Sequence, residues 1–408
     1  MTTNSTNSTM DIPAHVPEDR VVDFDYLRPV GIDEDLHLAW KNAQDTLPDI
    51  FWTPRNGGHW VVTRADAIKA IQLDHKRFSH ARVTIGGPHA SEGSIVQMDP
   101  PRHGSYRMLV SPAFSPKTIA ALEPIVRETT ISIVEELRPK GECEFVGDFA
   151  QILPVVVFLG TVDLPPEDRD YLLPLAEKAI RPRNRQEYLE SSTALSEYVA
   201  RALAARAEQP GSDLLSKIVT AKIGGEPIAF EAAVALSMIV LAGGLDTVAS
   251  ILGFVVRFLA LNPGHRRQLI DDPSLVPNAV EELIRRHGLI NTARLITQDT
   301  EFQGMRLKEG EQILVPNHLY GLDERQVDNP LDVDFTRPHP EQHYAAFGNG
   351  PHRCPGSFLA KLELTVFLQE WLARIPDFVI KPGTTPRMAS GSVSTVQELH
   401  LAWDTDPR

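Results

Sequence analysis

A single cysteine, Cys354, lies in a glycine-rich segment directly before an amphipathic run that predicts a helix over Gly356–Ala373. The full pattern is Phe347-x-x-Gly350-x-x-x-Cys354-x-Gly356. A sulfur at the start of a helix faces backbone N–H groups and the positive end of the helix dipole, and both favour a thiolate. Gly350 and Gly356 let the backbone fold closely around the sulfur. A thiolate held in this way is suited to ligate a haem iron.

Two other interpretations of Cys354 compete with this one. A buried free cysteine behaves as a small hydrophobic residue and needs no partner. A Cys–His catalytic pair would use His352, but residues two apart do not face each other in a helix. Neither interpretation accounts for the spacing of phenylalanine, glycine and cysteine, so we favour the metal-ligating thiolate.

A second segment that could do chemistry lies in Ala229–Leu261, an unusually long run that is apolar almost all round and therefore predicts a core helix. Gly243 and Gly244 stand in its middle, where each glycine destabilises a helix by up to ~1 kcal/mol relative to alanine. Thr247 can donate a hydrogen bond to the carbonyl of Gly243 and open the helix locally. Asp246 and Thr247 then form an acid–alcohol pair that can relay protons into a pocket. A simple helix kink is the alternative interpretation.

The segment 347–356 resembles the haem-binding loop of the cytochrome P450 family, and Gly243–Thr247 resembles the oxygen-activating helix of that family. The match is closest to the bacterial camphor-hydroxylase branch, and it covers nearly the whole chain after the N-terminal region. It includes Asn56–Trp60, Met98–Pro101, Gly321–Arg325 and Arg374–Phe378. The resemblance implies a mainly α fold with small β-sheets, in which haem b lies between the long distal helix and the helix after the cysteine loop.

Helical periodicity dominates the rest of the chain and agrees with that fold class. Helices are predicted at Asp33–Ala43, Arg64–Leu73, Arg102–Ala113, Pro116–Arg138, Phe145–Gly160, Pro166–Ile180, Gln186–Ala207, Asp213–Ala221, Ala229–Leu261, Pro263–Asp271, Pro277–Arg286 and Gly356–Ala373. Short strands are predicted at Ile50–Trp52, His59–Val62, Ala293–Leu295, Thr300–Phe302, Gln312–Val315 and Thr395–Leu401. We predict a mobile tail over residues 1–20 and one domain over residues 21–408.

The acidic balance of the chain limits its partners. Its 408 residues carry a net charge of −14, with 42% hydrophobic and 23% charged residues, which is unfavourable for binding nucleic acid. Cys143 and Cys354 are the two cysteines and give no disulfide framework, as in cytosolic proteins. The longest apolar run, Val234–Ala242, is about half of the ~18 residues that a membrane span needs. We therefore predict a cytoplasmic protein that binds neither nucleic acid nor membrane.

The resemblance also implies roles for charged residues around the cofactor. Glu282 and Arg285 are neighbours on one helical face, and with Arg337 they match the structural Glu–Arg network of the family. The haem propionates need cationic or N–H donors. The residues that match propionate contacts are His103, Arg107, Arg294 and His352. Phe347, Gly350 and Gly356 would shape the loop against the haem.

The substrate pocket is the part of the resemblance where this chain departs from the camphor-binding branch. The matching pocket positions are Ser91, Ile180, Ile239, Ala242, Ile290, Thr292, Ser392 and Val393. Ser91 stands where the camphor binder has a tyrosine, and residues 80–97 contain neither tyrosine nor phenylalanine. A mainly apolar pocket with few polar groups predicts a small terpenoid or norisoprenoid, ionone-like rather than camphor.

The resemblance implies a monooxygenase that uses O₂ and electrons from a 2Fe–2S ferredoxin with its NADH-dependent reductase, and that is a monomer. A basic patch on an acidic protein could dock such a donor; its members are Arg102, His103, Arg107, Lys117, Arg353 and Lys361, with Arg102, Arg107 and Arg353 at its centre. A peroxide-driven haem-thiolate enzyme and a non-catalytic haem-based sensor remain as alternatives.

Overall fold

Helices make up most of the chain in the computed structural model, which describes residues 11–87, 94–161, 164–180 and 184–405. The helices of these residues are α1 (Leu36–Thr46), α2 (Ala65–Leu73), α3 (Arg102–Val110), α4 (Pro116–Ala120), α5 (Glu123–Leu137), α6 (Ile152–Thr161), α7 (Arg169–Ile180), α8 (Arg185–Glu208), α9 (Leu214–Val219), α10 (Phe230–Leu261), α11 (Pro263–Asp271), α12 (Val276–Arg286), α13 (His318–Gly321) and α14 (Ser357–Arg374). The predicted fold class, mainly α with small sheets, is confirmed.

Short strands form small sheets at the edge of the helical body. They are β1 (Ile50–Thr53), β2 (His59–Val62), β3 (Phe78–Ser79), β4 (Glu142–Glu144), β5 (Lys222–Ile223), β6 (Glu226–Pro227), β7 (Asn291–Ile296), β8 (Thr300–Phe302), β9 (Met305–Leu307), β10 (Gln312–Pro316), β11 (Val379–Ile380), β12 (Arg387–Ala389), β13 (Thr395–Glu398) and β14 (His400–Ala402). A five-stranded sheet has the order β1-β2-β10-β7-β3 and a three-stranded sheet the order β11-β14-β4. In the larger sheet only β2 and β10 pair in parallel.

Capping and proline positions explain where the observed helices differ from the predicted ones. The first helix starts at Leu36 rather than Asp33, because the Asp35 side chain accepts a hydrogen bond from the Leu38 amide and acts as N-cap. The predicted helix Pro116–Arg138 is two helices, and the second has a proline in its first turn. The predicted helix Phe145–Gly160 begins with a π-helical turn at Val146–Ala150. The strand predicted over Thr395–Leu401 is two strands, β13 and β14.

Helix α10 crosses the core and presents its middle to the functional site. By length and composition alone it could span a membrane, but 59% of its most apolar window is buried inside the protein. It packs against α6, α8, α9, β13 and α14. A helix that is apolar all round is stable in water only when other elements cover it in this way.

An aromatic cluster holds α14, the helix that follows Cys354. The rings of Phe145, Phe149, Phe367 and Trp371 are fully buried, and their centroids lie 5.1 to 5.7 Å apart. Edge-to-face pairs at these distances add to the stabilisation from burial. A Trp371→Ala change would therefore lower the free energy of unfolding by about 3–5 kcal/mol.

Residues 11–20 of the N-terminal region contact the rest of the protein. Val16 is buried, and His15 Nε2 lies 3.0 Å from a carboxylate oxygen of Glu311. Val16 and the contact between His15 and Glu311 therefore attach residues 11–20 to the rest of the protein, within the segment for which a mobile tail is predicted. Residues 1–10 lie outside the described residues.

Candidate active site

The cysteine loop is folded tightly by backbone contacts around Cys354. The Cys354 amide donates a 2.8 Å hydrogen bond to the carbonyl of Phe347. Gly350 has φ of +70°, and a Cβ there would lie 2.9 Å from the carbonyl oxygen of Gln72. Only glycine fits that backbone and that close approach. On the other side of the sulfur, a Cβ on Gly356 would be 3.8 Å from Sγ.

The environment of the sulfur combines burial with hydrogen-bond donors. Burial raises the pKa of the Cys354 thiol, while the backbone N–H groups of Gly356 and Ser357 and the charges of Arg107 and Arg353 act in the opposite direction. The donors at the start of α14 are those expected from the sequence, but burial outweighs them. A bound metal cation would supply the missing stabilisation, because coordination deprotonates a thiol.

Phe347 is held beside the loop by a cluster that sequence reasoning did not identify. Glu281 accepts a 2.6 Å hydrogen bond from the Tyr344 hydroxyl and pairs with Lys361 Nζ at 2.6 Å. Lys361 Nζ also lies 5.7 Å from the centroid of the Phe347 ring. Lys361 thus has two contacts within the loop region. The loop is also tied to α2, since Asn349 donates a 2.8 Å hydrogen bond to the Gln72 side chain.

One face of α3 lies along the cysteine loop. His103 is buried with its ring centroid 4.0 Å from that of His352, and one turn later Arg107 donates a hydrogen bond to the carbonyl of Arg353. The spacing of four residues does place both side chains on one side. Burial lowers the pKa of His103, so this residue adds no charge to the predicted surface patch.

His80 joins this group from the segment after β3. Its ring stacks on that of His352 with centroids 3.4 Å apart and planes 11° apart. Burial lowers the pKa of both rings, that of His352 to about 3, and the charge of Arg294 acts in the same direction. His80 could not be identified from the sequence, because a lone histidine before a glycine-rich loop carries no spacing signal.

Two side chains of β7 present unsatisfied polar atoms on the same face of the strand. Arg294 is buried, its Nη1 donates to the Ala293 carbonyl at 2.7 Å, and its Nε has no hydrogen-bond partner. The hydroxyl oxygen of Thr292, two residues earlier, is also buried without a partner, and so is Nε2 of His352. Burial lowers the pKa of Arg294 to about 10. Buried polar atoms without partners indicate a binding site for a group that supplies the missing hydrogen-bond partners. A carboxylate is a suitable partner for the guanidinium of Arg294.

The middle of α10 faces open space. The helix stays continuous through Gly243–Thr247, so the expected local opening does not interrupt it, although the Thr247 hydroxyl does donate a 2.7 Å hydrogen bond to the Gly243 carbonyl. Ala242 and Gly243 are exposed in an otherwise largely buried helix. A Cβ on Gly243 or Gly244 would meet no atom of another element within 4 Å. A flat group can therefore approach the backbone here.

The predicted pocket residues near β7 are brought together by backbone bonds. Ile290 and Val393 form an isolated β-bridge, and the Asn291 amide donates a 3.0 Å bond to the Ser392 carbonyl. The Ala293 amide donates a 2.8 Å bond to the Val83 carbonyl, which attaches the segment after His80 to the same wall. Ile239 packs with the second apolar cluster, formed around α8 and α9. Ser91 lies outside the described residues, and so does the side chain of Ile180.

A buried ion-pair network anchors α12 beneath the loop. Glu282 accepts two 2.8 Å bonds from the Arg285 guanidinium and bonds of 3.0 and 3.1 Å from Arg337. Arg285 also donates to the carbonyls of Gly321 and Pro330 at 2.6 and 2.8 Å. With both side chains fully buried, the pair is satisfied by several donors and acceptors, as a buried charge requires.

These features fit a flat cofactor with carboxylates whose metal is bound by sulfur. The sulfur of Cys354, the open face at Gly243 and Gly244, and the unpartnered Nε of Arg294 supply respectively an axial ligand, room for a ring and a charge for a carboxylate. Haem b has these three properties, and the residues present fit it.

Comparison with known proteins assigns the chain to a family. The family model Cytochrome P450 matches residues 162–397, more than half of the chain. "Probable cytochrome P450 127A1" of Sinorhizobium fredii is 31% identical over 97% of both chains. The crystal structures of CYP101J2 and CYP101C1 each match with a TM-score of 0.89 and 35% identity, over 97% of this chain and 100% of theirs.

The chain belongs to the cytochrome P450 family of haem-thiolate enzymes. Within that family it is a bacterial-type P450 close to the CYP101 branch. Further relatives are named as monooxygenases and hydroxylases, and the chain is accordingly a P450 monooxygenase that binds haem b. The family, fold class, enzyme class and cofactor predicted from the sequence are confirmed.

Proposed function

We propose that this enzyme hydroxylates a small apolar terpenoid or norisoprenoid, ionone-like rather than camphor. The observation that carries the proposal is the exposed face of Ala242 and Gly243. A second set of predicted pocket residues includes Ile290 and Val393, which form an isolated β-bridge. Both sides are small or aliphatic, and such a surface selects ligands by shape and apolar area. Ile180, Ile239, Thr292, Ser392 and Ser91 are proposed to complete the pocket.

The chemistry is shared between the cofactor and the chain. A bound haem would supply the chemistry of O₂ activation and of oxygen insertion into a C–H bond of the substrate. Cys354 is proposed to hold the haem iron through its thiolate. Asp246 and Thr247 are proposed to move protons into the site, with the Thr247 hydroxyl held in place by its bond to the Gly243 carbonyl. Because the Thr247 hydroxyl donates its hydrogen bond to the Gly243 carbonyl, the lone pairs of the hydroxyl oxygen remain free to accept a hydrogen bond from another donor.

The cofactor carboxylates are proposed to bind Arg294 and His352, which carry the unpartnered nitrogen atoms. His103 and Arg107 would support this side of the haem by holding the cysteine loop at His352 and Arg353. Phe347, Gly350 and Gly356 would shape the loop, and Glu282, Arg285 and Arg337 would support it from below.

Electrons are proposed to come from a 2Fe–2S ferredoxin with its NADH-dependent reductase. Arg102 and Arg353 are exposed, and Arg107 is half-buried and donates a hydrogen bond to the Arg353 carbonyl. Met108 next to them is 70% exposed. On a chain of net charge −14, a local basic and apolar face would steer an acidic partner to the side nearest Cys354. We further propose a monomeric, cytoplasmic enzyme with one domain over residues 21–408.

Two spectra test the proposal in sequence. The CO difference spectrum of the reduced protein should show the thiolate-ligated Soret band, and a Cys354→His variant should move it to the histidine-ligated position. Titration of the ferric spin state with camphor and with ionone-like ketones should then show that the ionone-like ketones bind more tightly than camphor. Much tighter binding of camphor would contradict the substrate class. Turnover with peroxide but not with a ferredoxin system would favour the peroxide-driven alternative.

A further inference from the structure

The rings of His80, His352 and His103 form a stack built from three separate segments. Two rings whose centroids lie 3.4 and 4.0 Å from that of His352 cannot share one of its faces. They therefore flank it, and His352 is clamped on both sides. His80 and His103 are 5% and 3% exposed, so water does not separate the rings.

His80 is itself fixed by the segment that precedes α3. Its backbone amide donates a 3.0 Å hydrogen bond to Asp99, and its Nδ1 lies 3.3 Å from the Val96 carbonyl oxygen. The Ser79 hydroxyl binds the same carboxylate. His352 bonds the backbone of Met98 in the same segment. The clamp is thus fastened to residues 96–99 rather than to the cysteine loop alone.

The position of His80 joins two parts of the active site. Its ring contacts His352, which lies two residues before Cys354. Its chain continues to Val83, whose carbonyl accepts the 2.8 Å bond from Ala293 in the pocket wall. The stacked rings of His80 and His352 thus connect the wall segment with the loop that carries the sulfur.

We propose that His80 is a positioning residue that holds the cysteine loop through His352 and couples the substrate-side segment 80–87 to the thiolate. The inference rests on the proposed ligation of haem by Cys354. The flat ring carries the effect, because stacking needs a planar partner at van der Waals distance. The role requires no change of protonation in any of the three rings.

The test uses haem-loaded protein as the ferrous CO complex. It measures the rate at which the thiolate band is lost in mild denaturant. His80→Phe keeps a flat ring, His80→Leu keeps volume without it, and His75→Ala changes another histidine of the same region outside the stack. We expect loss of the thiolate band to be roughly threefold to tenfold faster in His80→Leu. His80→Phe and His75→Ala should stay near the wild-type rate.

Coupling is read from the same experiment with a spin-shifting ligand bound. The ligand should slow loss of the band in wild type and in His80→Phe, and should slow it less in His80→Leu. Equal rates for His80→Leu and His80→Phe, or equal protection by ligand, would overturn the inference. Absence of a thiolate band in the wild type would instead refute Cys354 ligation and leave the proposed function itself wrong.

Discussion

The Thr247 hydroxyl lies one helical turn from Gly243 and donates a 2.7 Å hydrogen bond to its carbonyl. This bond fixes the hydroxyl at the open face of α10. We predict that Thr247→Ala keeps substrate binding but lowers product formed per NADH consumed roughly tenfold or more, because the hydroxyl oxygen that would accept a hydrogen bond from the next group of the proton route is lost. Product and NADH are measured together. Thr247→Ser keeps the hydroxyl and should retain most of the coupling; equal coupling in all three proteins would remove Thr247 from the proton route.

The Glu282–Arg285–Arg337 network should dominate the stability of the loop region. Glu282→Ala leaves two guanidinium groups beside an apolar core, and we expect a loss of about 3–5 kcal/mol in the free energy of unfolding. Urea unfolding of haem-loaded protein measures it. Removal of the exposed pair Lys140–Glu136 serves as control and should change that free energy by less than about 1 kcal/mol.

Pro355 directly follows the thiolate residue and has no N–H to offer the sulfur. The sulfur receives backbone donors from Gly356 and Ser357. Pro355→Leu would restore one N–H, and each added donor withdraws charge from the sulfur and should raise the reduction potential of the haem. Redox titration compares the two proteins. A potential in the variant equal to or below that of wild type would show that the new N–H does not reach the sulfur.

Three buried histidines should make the protein less stable in acid. Burial lowers the pKa of His37 from 6.5 to about 4, and places the pKa values of His287 and His318 well below 6.5. In the unfolded chain these rings take up protons below pH 6.5, so stability present above that pH is lost as pH falls. His287→Phe keeps a ring between Phe254 and Phe258. As the pH is lowered, the free energy of unfolding should decrease in both proteins. In the variant the decrease should be smaller by roughly 1.4 kcal/mol per pH unit. Parallel pH profiles would contradict this assignment.

Glu363 should have the opposite effect at higher pH. Its carboxyl is buried in α14 with Oε2 unpartnered, and burial raises its pKa from 4.5 to about 8. The unfolded chain releases this proton above pH 4.5, so stability falls as pH rises toward 8. Glu363→Gln removes the titration and should stabilise the protein near neutral pH by up to a few kcal/mol, of order 1.4 kcal/mol per pH unit. Thermal unfolding across that range measures the gain, which should vanish near the unperturbed pKa.

Sequence alone determined the features that lie within one continuous segment. The spacing around Cys354 and the run Gly243–Thr247 could be interpreted directly, because a turn or a helix fixes the relative positions of neighbouring residues. The family and the cofactor followed from these segments, as the comparisons confirm. Most helix positions followed from hydrophobic periodicity along the chain. Helix ends were less well predicted, since a capping side chain such as Asp35 or a π-helical turn moves them by several residues.

Only the tertiary structure decided which distant residues meet. It placed His80 on His352 and Lys361 against Glu281, and it left the Nε atom of Arg294 buried without a partner. None of these contacts has a local sequence pattern, because each depends on how separate segments pack around the core. The resulting burial also shifts pKa values, raising that of Cys354 and lowering that of His352. Desolvation is a property of the folded surroundings and not of the residue itself.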